Sequence, residues 1–166
     1  MKNISFTLLL LLTITGYSQP LFEYEFDKNI TIEVPEETEE GQIPNGKFIR
    51  STTDGVVFTF SSSDKAKERL ATIDDAGLTT LFQGVRDGNL KSTKGTLVFD
   101  EIITLQNIKT AHYRFTFLSE GADLMVESYV FTYKNLLYIL QFRSTEKDAT
   151  NHEAYRKRII DGIRFK

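Results

Sequence analysis

Two histidines, His112 and His152, are the only side chains of this 166-residue sequence whose ordinary pKa lies near neutrality, and the chain has no cysteine. The missing thiol excludes disulfide stapling, thiol nucleophiles and Cys-ligated zinc or iron-sulfur sites. Catalysis through Ser, Thr or Lys needs an oriented base, so one of the two histidines would have to stand beside the nucleophile. His112 lies in the run His112-Tyr113-Arg114-Phe115-Thr116-Phe117, where alternation puts it on the same strand face as Arg114, turned to solvent. His152 falls in the first turn expected for the last helix, a capping position. The pair could hold a transition metal with Glu153 if the fold brought them together, but the spacing does not require it.

Carboxylates show no better pattern. Asp100 and Glu101 are adjacent in a strand, where neighbours point to opposite faces and cannot act together on one substrate. Asp74-Asp75 reads as helix capping. The segment Glu36 to Gly46, EETEEGQIPNG, matches no calcium-loop spacing and is expected to be a solvated loop. No catalytic residue, metal ligand or cofactor is assigned. An enzyme would need a cleft that gathers His112 or His152 with a buried carboxylate.

Composition bounds the setting. With 26% charged and 40% hydrophobic residues the chain fits one globular domain, and a net charge of -3 without a basic block gives no footprint for nucleic acid. Residues Met1 to Ser18 combine Lys2, an apolar run from Phe6 to Ile14, and small residues at Gly16 and Ser18. That is the pattern of a secretory signal peptide, too short in its apolar part to span a bilayer. Residues 19–166 are then a single extracytoplasmic domain, periplasmic or secreted. Without a cysteine to take lipid, an exported chain is expected to carry no membrane anchor.

The elements that must position any site follow from periodicity. The longest apolar run of the domain, Leu124 to Phe142, is broken by Lys134-Asn135 and predicts a central hairpin, with Leu136, Tyr138, Leu140 and Phe142 on one face. Phe22, Tyr24 and Phe26, then Ile30, Ile32 and Val34, alternate with polar residues in two short strands or one bent strand that Pro35 ends. Asp54-Gly55 marks a hairpin between Lys47–Ser51 and Val56–Ser61. From Asp64 a three- and four-residue spacing predicts one kinked helix or two, with Asp74 able to cap the second and Gly88 placed to end it. Lys91 to Gly95 reads as loop. Thr96–Leu105 and Lys109–Leu118 form a further hairpin around Gln106-Asn107, with Tyr113, Phe115 and Phe117 on its core face. Replacing Phe115 should therefore be costly and replacing Arg114 nearly neutral. Thr150 and Glu153 form a capping box before a helix bearing Tyr155 and Ile159, Gly162 stops it, and Ile163-Arg164-Phe165 packs beside the sheet. The expected fold is α+β, one antiparallel sheet of about six or seven strands with flanking α-helices.

This order of elements, from Ile32-Glu33-Val34-Pro35 to Ile160-Asp161-Gly162-Ile163-Arg164-Phe165, resembles the PsbP/Mog1/DcrB-like superfamily over roughly Phe22 to Phe165. The resemblance is one of pattern and has no signature motif. It implies a non-enzymatic accessory or partner-binding protein and carries over no functional residue. The sequence itself adds a second aromatic face, Tyr129, Phe131 and Tyr133, which needs either a helix over it or a ligand or partner. Those three are the expected binding residues. The expected function is an exported module that recognises a protein or cell-envelope component. The alternative is a carrier of a small apolar ligand or lipid, which would need an enclosed void lined by Tyr129, Phe131 or Leu140.

Overall fold

A computed structural model describes residues 20–166. The signal peptide expected over residues 1–18 lies outside the described residues. Strands β1 (Leu21–Glu25) and β2 (Ile30–Pro35) are followed by β3 (Glu39–Ile43), β4 (Gly46–Thr53) and β5 (Val56–Ser63). Helices α1 (Lys67–Leu70) and α2 (Asp75–Thr93) lead to β6 (Thr96–Leu105), β7 (Ile108–Ser119), β8 (Ala122–Tyr133) and β9 (Leu136–Thr145). A 3-10 turn over Glu146–Asp148, helix α3 (Ala149–Asp161) and strand β10 (Arg164–Phe165) complete the chain.

Seven strands form one antiparallel sheet in the order β3-β4-β5-β9-β8-β7-β6. Its tight turns explain the register. The two-residue loops Asp54-Gly55, Gln106-Asn107, Glu120-Gly121 and Lys134-Asn135 all have positive φ at both positions, between 46° and 80°. That backbone matches the right-handed twist of the strands it joins, so each loop pins its hairpin with the flanking residues directly paired. Strands β3 and β4 are joined by the two-residue loop Pro44-Asn45, of which only Asn45 has positive φ, and β5 and β9 are not linked by a hairpin at all, because α1, α2 and three strands intervene.

The expected antiparallel sheet of about six or seven strands is thus present with seven, and a second sheet of three strands, β1-β2-β10, which was not expected, accompanies it. The two N-terminal runs are two strands, and the closing Arg164-Phe165 pairs with Thr31 and Ile30. The acidic segment is only partly loop. Glu39–Ile43 pairs with β4 as an edge strand, with Gly41 lying where any β-carbon would be 2.4 Å from the Phe48 ring. An edge tolerates this acidic composition because one row of its side chains and one of its ladders face water.

The helical segment resolves into two helices, with Asp74 capping the second by accepting from the Gly77 N–H at 2.8 Å. Gly88 does not end α2. The helix runs on through the residues read as loop, and Lys94 takes the left-handed conformation at φ 54°. Nor does the Thr150 capping box form, because the preceding 3-10 turn starts the helix earlier and puts Thr150 and Glu153 inside it.

Each face of the sheet packs against a helix, one of them over only part of its width. On one, Phe82 of α2 packs with Tyr113, Phe115, Val126 and Val130. On the other, α3, through Tyr155 and Ile159, and β2, through Ile30, Ile32 and Val34, enclose Phe58, Phe60, Tyr129, Phe131, Tyr138, Leu140 and Phe142. The face set by Tyr113, Phe115 and Phe117 therefore lies where expected. Rings in the larger core are close: Phe131 stacks on Tyr138 at 5.3 Å and Phe26 meets Phe60 at 4.4 Å. Such contacts add to the area each ring removes from water.

Candidate functional site

One carboxylate stands out within this core. Glu127 of β8 is 1% exposed, on the strand face that also carries Tyr129 and Phe131. Strand period places it there. Directly opposite on β7 is Arg114, and His112 lies opposite Tyr129. Helix α3 then brings His152 and Arg156, four residues apart on one helical face, down onto the same carboxylate.

Oxygen Oε1 accepts from Tyr129 Oη at 2.8 Å and meets His112 Nε2 at 2.7 Å, with Arg156 Nε at 3.3 Å. Oxygen Oε2 accepts from both Nε and a terminal nitrogen of Arg114, the former at 3.1 Å. His152 Nε2 stands 3.4 Å from Oε2 without a well-aligned hydrogen bond, so it contributes as a neighbour and not as a donor. Burial pushes the Glu127 carboxyl up. The bonds to His112, Arg114 and Tyr129 and the nearby His152 outweigh it and hold the carboxyl well below the usual range. Tyr129 responds in the opposite direction: burial and the adjacent Glu127 charge push its phenol well above its ordinary value.

A second ring of contacts orients these groups. His112 Nδ1 meets Glu101 at 2.8 Å, and its ring stacks on Tyr129 at 4.3 Å. His152 Nδ1 meets the Ser144 hydroxyl at 2.8 Å. Arg156 donates to Tyr129 Oη and to Glu153. The cluster thus joins four strands, β6 to β9, to α3.

Both histidines therefore gather at a buried carboxylate, the arrangement that would favour an enzyme. Ser144, His152 and Glu127 even stand in the order of a nucleophile, base and acid. The chemistry does not follow. Ser144 is 2% exposed, and Glu127 is already committed to Arg114, Tyr129 and His112. A nucleophile needs substrate within reach, and this one lies beneath α3. Among the described residues no group of three His, Asp or Glu side chains has metal-site geometry. What the cluster can do is lock α3 to the sheet.

Sequence reasoning placed His112 and Arg114 on the correct face but left them in water, and read His152 as a cap. In the structure, with Glu127, they are partners in the buried cluster. Glu127 itself went unremarked. The available signal was a lone carboxylate in the apolar run Leu124 to Phe131, at the inward phase of the strand. Of the three expected binding residues, Tyr129 and Phe131 are 2% and 0% exposed, and Tyr133 is half-buried with its hydroxyl bonded to the Lys166 carbonyl. Around Tyr129, Phe131 and Leu140 the core is closely packed, and four open grooves of about 370 to 490 Å³ have none of the three in their walls.

One edge of the sheet is also left uncovered. Strand β6 is an edge: its inner side pairs with β7 and its outer side has no strand among the described residues. Among the described residues six large apolar side chains stand out as exposed, and four of them, Leu97, Val98, Ile102 and Leu118, sit on β6 or β7. A register shift between Leu97 and Phe99 sets Val98 outward at 56% exposure. The opposite edge, β3, is half as long and carries Glu39 and Glu40.

No family model and no curated sequence relative matches the chain. Solved structures do. The solution structure of cyanobacterial PsbP (CyanoP) from Synechocystis sp. PCC 6803 superposes with a TM-score of 0.62 at 12% identity, covering 94% of this chain and 99% of that one. LpqN, described as involved in cell envelope biogenesis of Mycobacterium tuberculosis, matches with a TM-score of 0.51 at 12% identity, over 87% and 91% of the two chains. PA94 from Pseudomonas aeruginosa, described as a protein of unknown function and putative regulator, matches with a TM-score of 0.51 at 14% identity, over 83% and 92%. At these identities the likeness is one of backbone. The chain has the PsbP-like fold.

Proposed function

We propose that this protein is an exported, non-enzymatic recognition module that binds a protein of the cell envelope by taking one of its strands onto the β6 edge. The observation that carries this reading is the concentration of exposed Leu97, Val98, Ile102 and Leu118 at one end of the sheet. Folded proteins usually blunt a long edge with charge, proline or a cover. Here ten residues of edge have no strand on their outer side; the two carboxylates at the centre, Asp100 and Glu101, are engaged by Arg86 and His112, and the exposed apolar Leu97, Val98 and Ile102 flank them, leaving the outer ladder open to strand addition. The Glu127 cluster supports this role by tying β7 and β8 to α3, which gives the edge a rigid backing.

The described residues contain no helix long and apolar enough to cross a membrane. Export rests on the leader pattern of residues 1–18, and recognition by Tyr129 and Phe131 would require α3 or β2 to move. Tyr133, half-buried, remains reachable as a secondary contact.

The experiment is co-purification from the native source, comparing wild type with Ile102→Lys. Loss of an associated protein from the variant, with thermal melting unchanged, is the expected result. Equal recovery with both chains would overturn the reading.

A further inference from the structure

The α2 face of the sheet has an uncovered half. Helix α2 lies over β7 and β8, and beside it the same face of β4, β5 and β9 forms the floor of an open groove of about 370 Å³. That volume lies at the lower end of the range of small-molecule sites. Aromatic and aliphatic groups, Phe48, Val57 and Phe117 among them, line part of it, and Thr59 and Gln141 lie between two arginines, Arg50 and Arg143.

The arginines are the unusual feature. Acidic residues outnumber basic ones, 23 to 20, and the other arginines near this sheet, such as Arg86, Arg114 and Arg156, have carboxylate partners. Neither Arg50 nor Arg143 forms an ion pair or hydrogen bond among the described residues, and no carboxylate lines the groove. Glu39 lies across the ladder from Arg50, and Glu120 shares a neighbouring groove with Arg143, in both cases without an ion pair.

Register fixes how the two arginines converge. Arg50, Thr59 and Gln141 are in one cross-strand row, and Arg143 is in the next, beside Val57. Two strand spacings make about 10 Å and two residues along a strand about 7 Å, a separation that two extended arginine side chains can close around one anion. Their planar N–H forks match a carboxylate, and the repulsion between two unpaired guanidiniums is relieved when it binds.

We infer that this groove binds a small amphiphile with a single carboxylate head, held by Arg143 and Arg50, and an apolar body laid against Phe48, Val57 and Phe117. The site is on a different part of the sheet from the β6 edge, so it stands or falls independently of the partner proposed above.

The test uses octanoate, octanamide and acetate, titrated into isotope-labelled protein and followed by backbone amide shifts. Octanoate should give saturable shifts at Thr59, Gln141 and Thr93. Octanamide lacks the charge and acetate lacks the body, so each should bind at least ten-fold more weakly. Arg143→Gln should weaken octanoate at least ten-fold, and Arg50→Gln, at an exposed position, carries the same comparison should Arg143→Gln lose its fold. Absence of octanoate binding at millimolar concentration, shifts mapping elsewhere, equal binding of octanamide, or unchanged affinity in the arginine variants would each overturn the inference.

Discussion

Replacing Glu127 by glutamine removes one charge from the buried cluster while keeping its shape. Glu127 accepts from Tyr129 at 2.8 Å and from Arg114 Nε at 3.1 Å and pairs with His112 at 2.7 Å. A bond involving a charged group contributes about 1.5 to 3 kcal/mol and a neutral one about 0.5 to 1.5. Downgrading three such bonds therefore costs about 3 kcal/mol. Against that, Arg114 and Arg156, at 29% and 18% exposure, recover some hydration, so we expect a net loss of about 2 to 3 kcal/mol. Glu127→Ala, which leaves the donors with no acceptor at all, should cost about 3 to 5 kcal/mol. Urea melts at neutral pH provide the measurement, with Glu101→Gln as the control. That carboxylate is 56% exposed, so its loss should stay within about 1 kcal/mol. A Glu127→Gln variant as stable as wild type would refute the claim that the cluster locks α3 to the sheet.

The same cluster predicts a pH dependence. The folded carboxyl of Glu127 is held below its unfolded value of about 4.3, so in acid the unfolded chain binds the proton first. Its contribution is complete above that pH and is lost as pH falls through the depressed folded value. Wild type should therefore lose stability faster than Glu127→Gln on descending from about pH 5. Parallel acid profiles would contradict the assignment.

Other perturbations discriminate the packing. Phe115→Ala should cost about 3 to 5 kcal/mol, because the ring is 2% exposed in the α2-side core. Arg114→Ala should cost about 1 to 2 kcal/mol, since it pairs with a buried carboxylate, and a neutral result in the same urea melts would restore the picture of a solvent-facing arginine. Gly46→Ala should destabilise by about 1 to 3 kcal/mol, because a β-carbon there would fall 1.9 Å from the Ser62 carbonyl oxygen. An unchanged melting temperature would show that the β4–β5 ladder has room to spare.

Much of the architecture was legible because strand period and turn chemistry are local. The face carrying Phe115, the hairpins at Asp54-Gly55 and Lys134-Asn135, and the capping role of Asp74 all follow from neighbours in sequence. What was not legible depended on distant packing. Glu39–Ile43 becomes a strand only because β4 offers it a ladder. Helix α2 passes through Gly88 because Val85 and Leu90, on either side of it, both pack on the sheet, and the cost of one helical glycine is only about 1 kcal/mol. The Glu127 site joins residues from β6, β7, β8, β9 and α3, and nothing in the sequence near His152 announces that α3 crosses above residue 127. The β6 edge was hidden for a similar reason. A run such as Thr96 to Leu105 reads the same whether it is central or outermost, and only the sheet order distinguishes the two.

The most direct test of recognition through the β6 edge is site-specific photocrosslinking in the native cell. A photoreactive residue is placed in turn at Val98, at Ile102 and, as comparison, at Ile43 on the opposite edge. The account predicts a discrete crosslinked species of one envelope protein from positions 98 and 102 and none from position 43. Crosslinks from position 43 alone, or equally from all three, would contradict it.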